Sequence, residues 1–162
     1  MKTLFLIRHA KSSWDDPRLD DMDRPLSERG LRDAPEMGRR LAERQVKPDR
    51  LISSPALRAL STARIIAQAL NYDTEQIVVD KRLYEATPKR LLKVIREQGA
   101  GPRCIMLFGH NPELTEFAQS YVPTLQHMPT CAVVQLDFNI ESWEDLGEEQ
   151  PVSVWFSKPR QD

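Results

Sequence analysis

The stretch Thr3-Leu4-Phe5-Leu6-Ile7-Arg8-His9 decides the fold of this 162-residue chain. Its apolar run is short, contains residues that favour β-strands in the middle, and is flanked by charged residues, which predicts a buried strand. That strand delivers Arg8 and His9 at its carboxyl end. Strands that read as continuous apolar runs are typical of parallel sheets covered on both faces.

Strands and helices are predicted to alternate along the rest of the chain. Five further strands are predicted over Asp49 to Ser53, Ile77 to Asp80, Arg103 to Phe108, Val133 to Phe138 and Val152 to Phe156. Helical spacing of apolar residues predicts four helices, starting near Ser27, Ser54, Thr87 and Asn111. This alternation predicts an α/β fold with three layers, α/β/α, and a mostly parallel central sheet.

Local signals place the helix starts and one long loop. Ser27 is a predicted N-cap of a helix whose apolar positions include Leu31, and Pro35 is expected to kink or restart that helix. The pairs Ser54-Pro55, Thr87-Pro88 and Asn111-Pro112 predict three helices that begin alike, with a capping residue before a proline. The polar segment from Lys11 to Pro25 predicts a loop, and loops of this length are more often functional than incidental.

Composition excludes several classes of function. The net charge is -1 and the pI is near 6.3, so the chain lacks the excess of basic residues that is typical of a nucleic-acid-binding protein. The sequence contains no apolar run of the roughly 20 residues that a membrane span needs, and Arg8 ends the first run too early for a signal peptide. We therefore expect a cytoplasmic protein without nucleic-acid or membrane partners, folded as one domain over residues 1–162 without a large lid insertion. Cys104 and Cys131 are expected to stay reduced.

Polar residues after the predicted strands are the first candidates for a functional site. In open α/β sheets ligands bind beyond the carboxyl ends of the strands. The residues at those positions are Arg8, His9, Arg58, Glu85 and His110. Helix N-termini near Pro55 and Pro112 are expected at the same edge, where their partial positive charge favours an anion. Phosphate is the predicted ligand.

Four blocks of sequence resemble the histidine phosphatase superfamily, which is also called the phosphoglycerate mutase-like superfamily. The blocks are Leu6-Ile7-Arg8-His9-Ala10, Pro25-Leu26-Ser27-Glu28-Arg29-Gly30, Ser53-Ser54-Pro55-Ala56-Leu57-Arg58-Ala59-Leu60-Ser61-Thr62-Ala63 and Gly109-His110-Asn111-Pro112. They occur in the family's order and cover the chain from residue 3 to about 120. The sequence is most similar to the short SixA-type phosphohistidine phosphatases, although Ala10 stands where the wider family usually has glycine.

The resemblance implies a phosphoglycerate mutase-like fold and a phosphatase that works without cofactor or metal. It implies that His9 carries the phosphoryl group, that His110 assists catalysis and that Glu85 donates a proton. Elementary chemistry agrees, because an imidazole attacks phosphorus well when one ring nitrogen is held as N–H and the other lone pair is free. Predicted phosphate ligands are Arg8, Arg58, His110 and Ser12, since guanidinium groups offer forked donors to phosphate oxygens.

Taken singly, each of these residues has an ordinary structural explanation. A lone histidine at a strand end is more often structural, and an isolated Arg58 or Glu85 is more often a solvated surface residue. Only the ordered set favours catalysis. Arg24, Arg29 and Ser12 are also compatible with a role in stabilising the loop, and His127 is predicted to be structural.

Three functional hypotheses remain open at this stage. The leading one is a protein phosphohistidine phosphatase, the second is a phosphatase or mutase acting on small phosphate esters such as sugar phosphates, and the third is a phosphate-binding module without catalysis. The partner is accordingly a phosphorylated protein, specifically a phosphohistidine domain, or a small ester. Three dispersed histidines and two distant cysteines give no zinc-ligand spacing, and the acidic loop lacks the pattern of a calcium site.

Overall fold

Six strands and four helices occur in the computed structural model, which describes residues 1–159. The strands are β1 (Lys2–Arg8), β2 (Arg50–Ser53), β3 (Val78–Val79), β4 (Cys104–Gly109), β5 (Val133–Phe138) and β6 (Ser153–Ser157). The helices are α1 (Glu28–Glu43), α2 (Leu57–Ala69), α3 (Pro88–Arg96) and α4 (Glu113–Gln119). Short 3-10 turns lie at Asp21–Asp23, Thr74–Gln76, Lys81–Leu83 and Trp143–Asp145. All six predicted strands exist, with ends that shift by at most one residue.

The strands form one sheet in the order β3-β2-β4-β1-β5-β6. β1, β2, β3 and β4 run parallel, whereas β5 and β6 are antiparallel to their neighbours. This confirms the mostly parallel sheet. Because Arg8 on β1 pairs with Gly109 on β4, the next residues, His9 and His110, leave adjacent strands at the same edge.

Successive residues of β1 point to opposite faces of the sheet and enter two separate cores. Leu4 and Leu6 belong to a buried cluster that includes residues of α3 and α4. Phe5 and Ile7 belong to a second cluster, which includes residues of α1 and α2. Helices therefore cover both faces, and the three-layer α/β/α prediction is confirmed. No helix within residues 1–159 combines the length and the hydropathy that crossing a bilayer requires.

Two of the predicted helix starts are observed with their caps. The Ser27 hydroxyl accepts a hydrogen bond from the Gly30 amide at the start of α1. The Thr87 hydroxyl accepts from the Arg90 amide at the start of α3, with Pro88 as the first helical residue. Each side chain satisfies an amide that the helix itself leaves unpaired.

The prediction that three helices begin alike is wrong for α2 and α4. α2 begins at Leu57, two residues beyond Pro55, and the Ser54 hydroxyl instead contacts the His110 ring and accepts from the Ala56 amide. α4 begins after Pro112, and the Asn111 side chain accepts from the Thr115 amide. In both cases the polar side chain before the proline holds a turn at the sheet edge.

α1 differs from its sequence prediction at Leu31, and one of the two effects expected of Pro35 is absent. It is a single element from Glu28 to Glu43, so Pro35 does not restart it. Leu31 is 56% exposed, although it was predicted on the apolar stripe. Pro35 and Leu31 share the exposed side of the helix, where water can satisfy the Leu31 carbonyl that proline leaves without a donor. The buried side carries Gly30, where a Cβ would overlap the Lys11 carbonyl oxygen.

Candidate active site

A cleft of about 490 Å³ opens at the carboxyl ends of β1, β2 and β4. Its lining combines five of the predicted residues with groups from the loop before α1 and from the start of α4. The lining residues are Arg8, His9, Asp21, Arg58, Tyr84, Glu85, Ala86, His110, Asn111, Pro112 and Glu113. The structure therefore brings Arg8, His9, Arg58, Glu85 and His110 together, as the strand-end argument predicts.

His9 is held in one orientation by its own neighbour in the chain. Its Nδ1 lies 2.7 Å from the Ala10 carbonyl oxygen, and the Ala10 amide donates in turn to the Thr62 hydroxyl at 2.9 Å. Because a carbonyl oxygen only accepts, Nδ1 carries the proton and Nε2 keeps a free lone pair. Burial, with smaller contributions from His110, Arg8 and Arg58, lowers the pKa of His9 to about 3, against the opposing effect of the Ala10 hydrogen bond. The imidazole is thus neutral at physiological pH.

His110 lies beside His9, with 5.2 Å between the ring centroids. Its Nε2 is 2.8 Å from the Ser54 hydroxyl oxygen, while its buried Nδ1 has no hydrogen-bond partner within residues 1–159. Burial, Arg58 and Arg8 lower the pKa of His110 to about 4, against an opposing contribution from Asp21. A buried polar atom without a partner is costly, so His110 Nδ1 is suited to a ligand.

Two guanidinium groups supply the positive charge of the cleft. Arg8 donates from Nη1 to the Met128 carbonyl at 3.0 Å, and its buried Nε has no partner in the described part of the chain. Burial and the neighbouring Arg58 charge lower the pKa of Arg8. Arg58, in the first turn of α2, is buried and donates to the Asp21 backbone carbonyl at 2.7 Å and to its carboxylate at 2.9 Å.

Glu85 and Glu113 also line the cleft. Glu85 is exposed and adopts a left-handed backbone conformation with φ of 53°. Glu113, the first residue of α4, is buried. Burial, together with the charges of Glu116 and Glu85, raises the pKa of Glu113. Sequence reasoning missed Glu113, because nothing in its local pattern distinguishes it from an ordinary helix-start acid.

Asp21 and Tyr84 are the other cleft residues that sequence reasoning missed. The Tyr84 hydroxyl donates to Asp21 Oδ2 at 2.5 Å, across 63 residues of sequence. The Tyr84 ring also lies nearly perpendicular to the His110 ring, with 5.6 Å between the centroids. A usable signal for Tyr84 was its place directly before Glu85. Asp21 was hidden among the acidic residues of the loop.

Ser12, Arg24 and Arg29 lie outside the lining of this cleft. The Ser12 hydroxyl accepts a hydrogen bond from Arg24, whose guanidinium stacks on the Trp14 ring at 3.2 Å from the centroid. Arg29 forms an ion pair with Asp33 at 3.5 Å. These contacts fit the loop-stabilising alternative, and a phosphate contact by Ser12 stays a prediction. His127 lines a different depression, beside Phe156.

Lowering the pH from 7 to 5 is expected to leave the His9 and His110 rings of the folded protein neutral, because their pKa values of about 3 and 4 lie below this range. In the unfolded chain the same rings titrate near 6.5. The unfolded state therefore takes up more protons below pH 6.5, and each ring lowers the free energy of unfolding by up to about 1.4 kcal/mol per pH unit as the pH falls. Imidazole ¹⁵N NMR, with His9→Ala and His110→Ala for assignment, and urea unfolding at both pH values measure the two effects. Ring titration near pH 6.5 in the folded protein would contradict the expectation.

Comparisons with known proteins identify the family. A model of the histidine phosphatase superfamily (branch 1) matches residues 4–94. An uncharacterised chloroplast protein of Arabidopsis thaliana is 30% identical over 152 residues, which are 89% of this chain and 70% of that protein. A 2,3-bisphosphoglycerate-dependent phosphoglycerate mutase of Nocardia farcinica is 35% identical over 85 residues, which are 51% of this chain but only 35% of the mutase.

Solved structures extend the likeness over the whole fold. The crystal structure of SixA from Agrobacterium tumefaciens, assigned as a phosphohistidine phosphatase, aligns with a TM-score of 0.78 and 27% identity. The alignment covers 95% of this chain and 97% of the other. The predicted phosphoglycerate mutase-like fold and the resemblance to SixA-type proteins are thereby confirmed, and the comparisons support phosphatase activity. The chain belongs to the histidine phosphatase superfamily.

Proposed function

We propose that this phosphatase removes the phosphoryl group from phosphohistidine in a protein and carries it on His9 during turnover. The observation that carries the proposal is a neutral His9 ring, with Nδ1 bonded to the Ala10 carbonyl, in a cleft with two guanidinium groups. Two buried atoms of that cleft, Arg8 Nε and His110 Nδ1, lack hydrogen-bond partners in the described chain. The oxygens of a phosphoryl group would satisfy donors at those positions.

The proposed reaction has two steps. His9 Nε2 attacks phosphorus, the bond to the substrate nitrogen breaks, and that imidazole leaves with a proton from Glu85 or water. Water then attacks phospho-His9 with Glu85 as the base, which releases inorganic phosphate and restores the His9 ring. Arg8, Arg58 and His110 hold the three non-bridging oxygens, whose charge the transition state retains.

Access to the cleft favours a protein substrate. We propose that residues 1–162 form a single domain without a lid insertion, since every strand of the described chain belongs to one sheet. The match to Agrobacterium SixA over 95% of this chain and 97% of that structure supports this view, because neither chain carries a large segment that the other lacks. A phosphohistidine on the surface of another protein could then reach His9.

The second candidate is a phosphatase or mutase that acts on small phosphate esters. The likeness to the Nocardia mutase favours it, and the same His9, Arg8 and Arg58 would serve both reactions. Turnover of one phosphorylated histidine domain should be compared with turnover of a panel of phosphosugars at equal concentration. A kcat/KM for the phosphodomain that is at least tenfold higher supports the proposal, and the reverse order supports the ester.

Chelation is expected to leave activity unchanged, because the sequence offers no metal-ligand spacing and the proposed chemistry uses only His9, His110, the guanidinium groups and Glu85. We propose accordingly that the enzyme needs no cofactor. Separately, we propose that it works in the cytoplasm, as the sequence analysis expects. Vanadate, which mimics the pentacoordinate phosphorus, should inhibit strongly in the same assay. Steady-state rates after exhaustive EDTA treatment measure the first effect. Loss of activity that a divalent metal restores would contradict the mechanism.

A further inference from the structure

Asp21 is the counterion of Arg58, one of the two guanidinium groups that hold the phosphoryl oxygens in the proposed mechanism. Its carboxylate accepts hydrogen bonds from Arg58, Tyr84 and Arg24, at 2.9, 2.5 and 3.1 Å. Its backbone carbonyl accepts a second bond from Arg58 at 2.7 Å. The Tyr84 hydroxyl, with Arg58 and Arg24, holds the pKa of Asp21 far below its usual range, so this carboxylate is ionised at neutral pH.

The contacts leave Arg58 free to bind a substrate at the same time. A guanidinium carries five N–H groups, and Asp21 receives one from Nη1 and one from Nη2. The remaining three N–H groups of Arg58 are available for phosphate oxygens. Asp21 therefore reduces the net charge of the phosphate site without removing its donors.

The charges of the whole cleft are close to balanced. Arg8 and Arg58 are cations, whereas His9 and His110 are neutral, with pKa values of about 3 and 4. Outside the lining, Arg24 adds a third cation, which pairs with Asp21 Oδ1 at 3.1 Å. These three cations face the carboxyl groups of Asp21, Glu85 and Glu113. One phosphoryl group bound between the guanidiniums thus makes the site net negative, and a second anionic group beside it meets carboxylates with little compensating charge.

We propose that Asp21 is a specificity-determining residue, which restricts the cleft to a single phosphoryl group whose surroundings are neutral or basic. The physical basis is its ion pair with Arg58, which weakens the attraction for anions in general and leaves the directed hydrogen bonds in place. The substrate class is a phosphohistidine flanked by basic or neutral side chains, and compounds with a second phosphate or carboxylate are disfavoured. This inference rests on the proposed function and narrows its substrate.

The test replaces Asp21 by asparagine, which keeps the size and an acceptor oxygen but removes the charge. Two phosphohistidine peptides, identical except for two flanking lysines or two flanking glutamates, serve as substrates at fixed ionic strength. Wild-type protein should prefer the lysine peptide in kcat/KM, and Asp21→Asn should reduce this preference about fivefold or more. The same variant should bind inorganic phosphate as a competitive inhibitor about fivefold more tightly.

Two control variants separate the effect of the Asp21 charge from the effect of its hydrogen bonds. Asp20→Asn removes one charge from the adjacent exposed position, which has no side-chain contact with Arg58, and should leave the preference unchanged. Asp21→Ala removes the hydrogen bonds of the side chain as well as its charge, and leaves the bond from Arg58 to the backbone carbonyl. If Asp21 only orients Arg58, Asp21→Asn will behave as wild type while Asp21→Ala binds phosphate more weakly, and the inference is overturned.

Failure of the inference is distinguishable from failure of the proposed function. A wild-type protein that turns over the peptides but shows no preference for the lysine peptide, or an unchanged preference in Asp21→Asn, contradicts the role of Asp21 alone. A wild-type protein that releases no phosphate from either peptide but hydrolyses small esters contradicts the proposed function. In that case tighter phosphate binding by Asp21→Asn still tests the charge effect.

Discussion

Replacing His9 by alanine is expected to abolish turnover, with a loss of about 10⁴-fold or more in kcat. The proposed route forms and breaks a bond at His9 Nε2, which alanine removes. The neighbouring ring of His110 has its Nε2 in a hydrogen bond with the Ser54 hydroxyl, and His110 belongs among the proposed oxygen-binding groups. Steady-state rates with a phosphohistidine peptide measure the loss.

His127→Ala is the matched control, because His127 is the remaining histidine of the chain and lies in a different depression. It should retain wild-type activity. Rapid quenching of wild-type protein with labelled substrate should trap one phosphoryl group, stable to base and labile to acid, on a peptide that contains His9. Label on a serine or cysteine, or substantial turnover by His9→Ala, would overturn the assignment of the nucleophile.

The oxygen-binding groups should show smaller losses in the same assay. Arg8→Ala, Arg58→Ala and His110→Ala are each expected to reduce kcat/KM by about 10² or more, as when a preorganised donor is removed from a transition state. Arg64→Ala, an exposed arginine on the same helix as Arg58, provides the comparison and should cost little. A similar loss in Arg64→Ala would indicate that the helix, and not the Arg58 guanidinium, is being perturbed.

The central sheet could be predicted because its strands are nearly continuous apolar runs. Burial on both faces leaves few alternatives for Leu4 to Ile7 or for Ile105 to Phe108, and both runs are fully buried in adjacent parallel strands. Helix starts were less predictable. A serine or asparagine before proline caps a helix only when its side chain is free, and here Ser54 and Asn111 are engaged by His110 and Thr115.

The candidate site also contains residues that the sequence predicts and residues that it does not. Arg8, His9 and His110 could be placed because strand register alone brings their backbones to one edge. Asp21 could not, because its contacts with Arg58 and Tyr84 span 37 and 63 residues and depend on how the loop before α1 folds. Side chains that act through a long-range contact leave no periodic signal in the sequence, whereas residues that follow a buried strand do.

Glu85 is the predicted proton donor, and its importance depends on the group that leaves. An alcohol leaving group is strongly basic and needs a proton as the ester bond breaks. Imidazole, whose conjugate acid has a pKa of about 6.5, leaves with far less help. If the cleft is adapted to phosphohistidine, Glu85 contributes little to the first step and acts mainly in the second, where it prepares water to attack phospho-His9.

Glu85→Gln is therefore expected to slow phosphoryl transfer from an alkyl phosphate by about 10² or more, and transfer from a phosphohistidine peptide by only a few fold. Glutamine keeps the size of the side chain and tolerates the left-handed backbone at this position about as well as glutamate. Single-turnover transfer and steady-state phosphate release should be measured separately for both substrates, since a deficit confined to release identifies the general base of the second step. Glu113→Gln is the matched variant, because its carboxyl group lines the same cleft. If Glu85→Gln slows phosphoryl transfer from the ester and from the phosphoramidate equally, Glu85 positions the phosphate and does not donate a proton. If only Glu113→Gln slows transfer, and only from the ester, proton donation is assigned to Glu113.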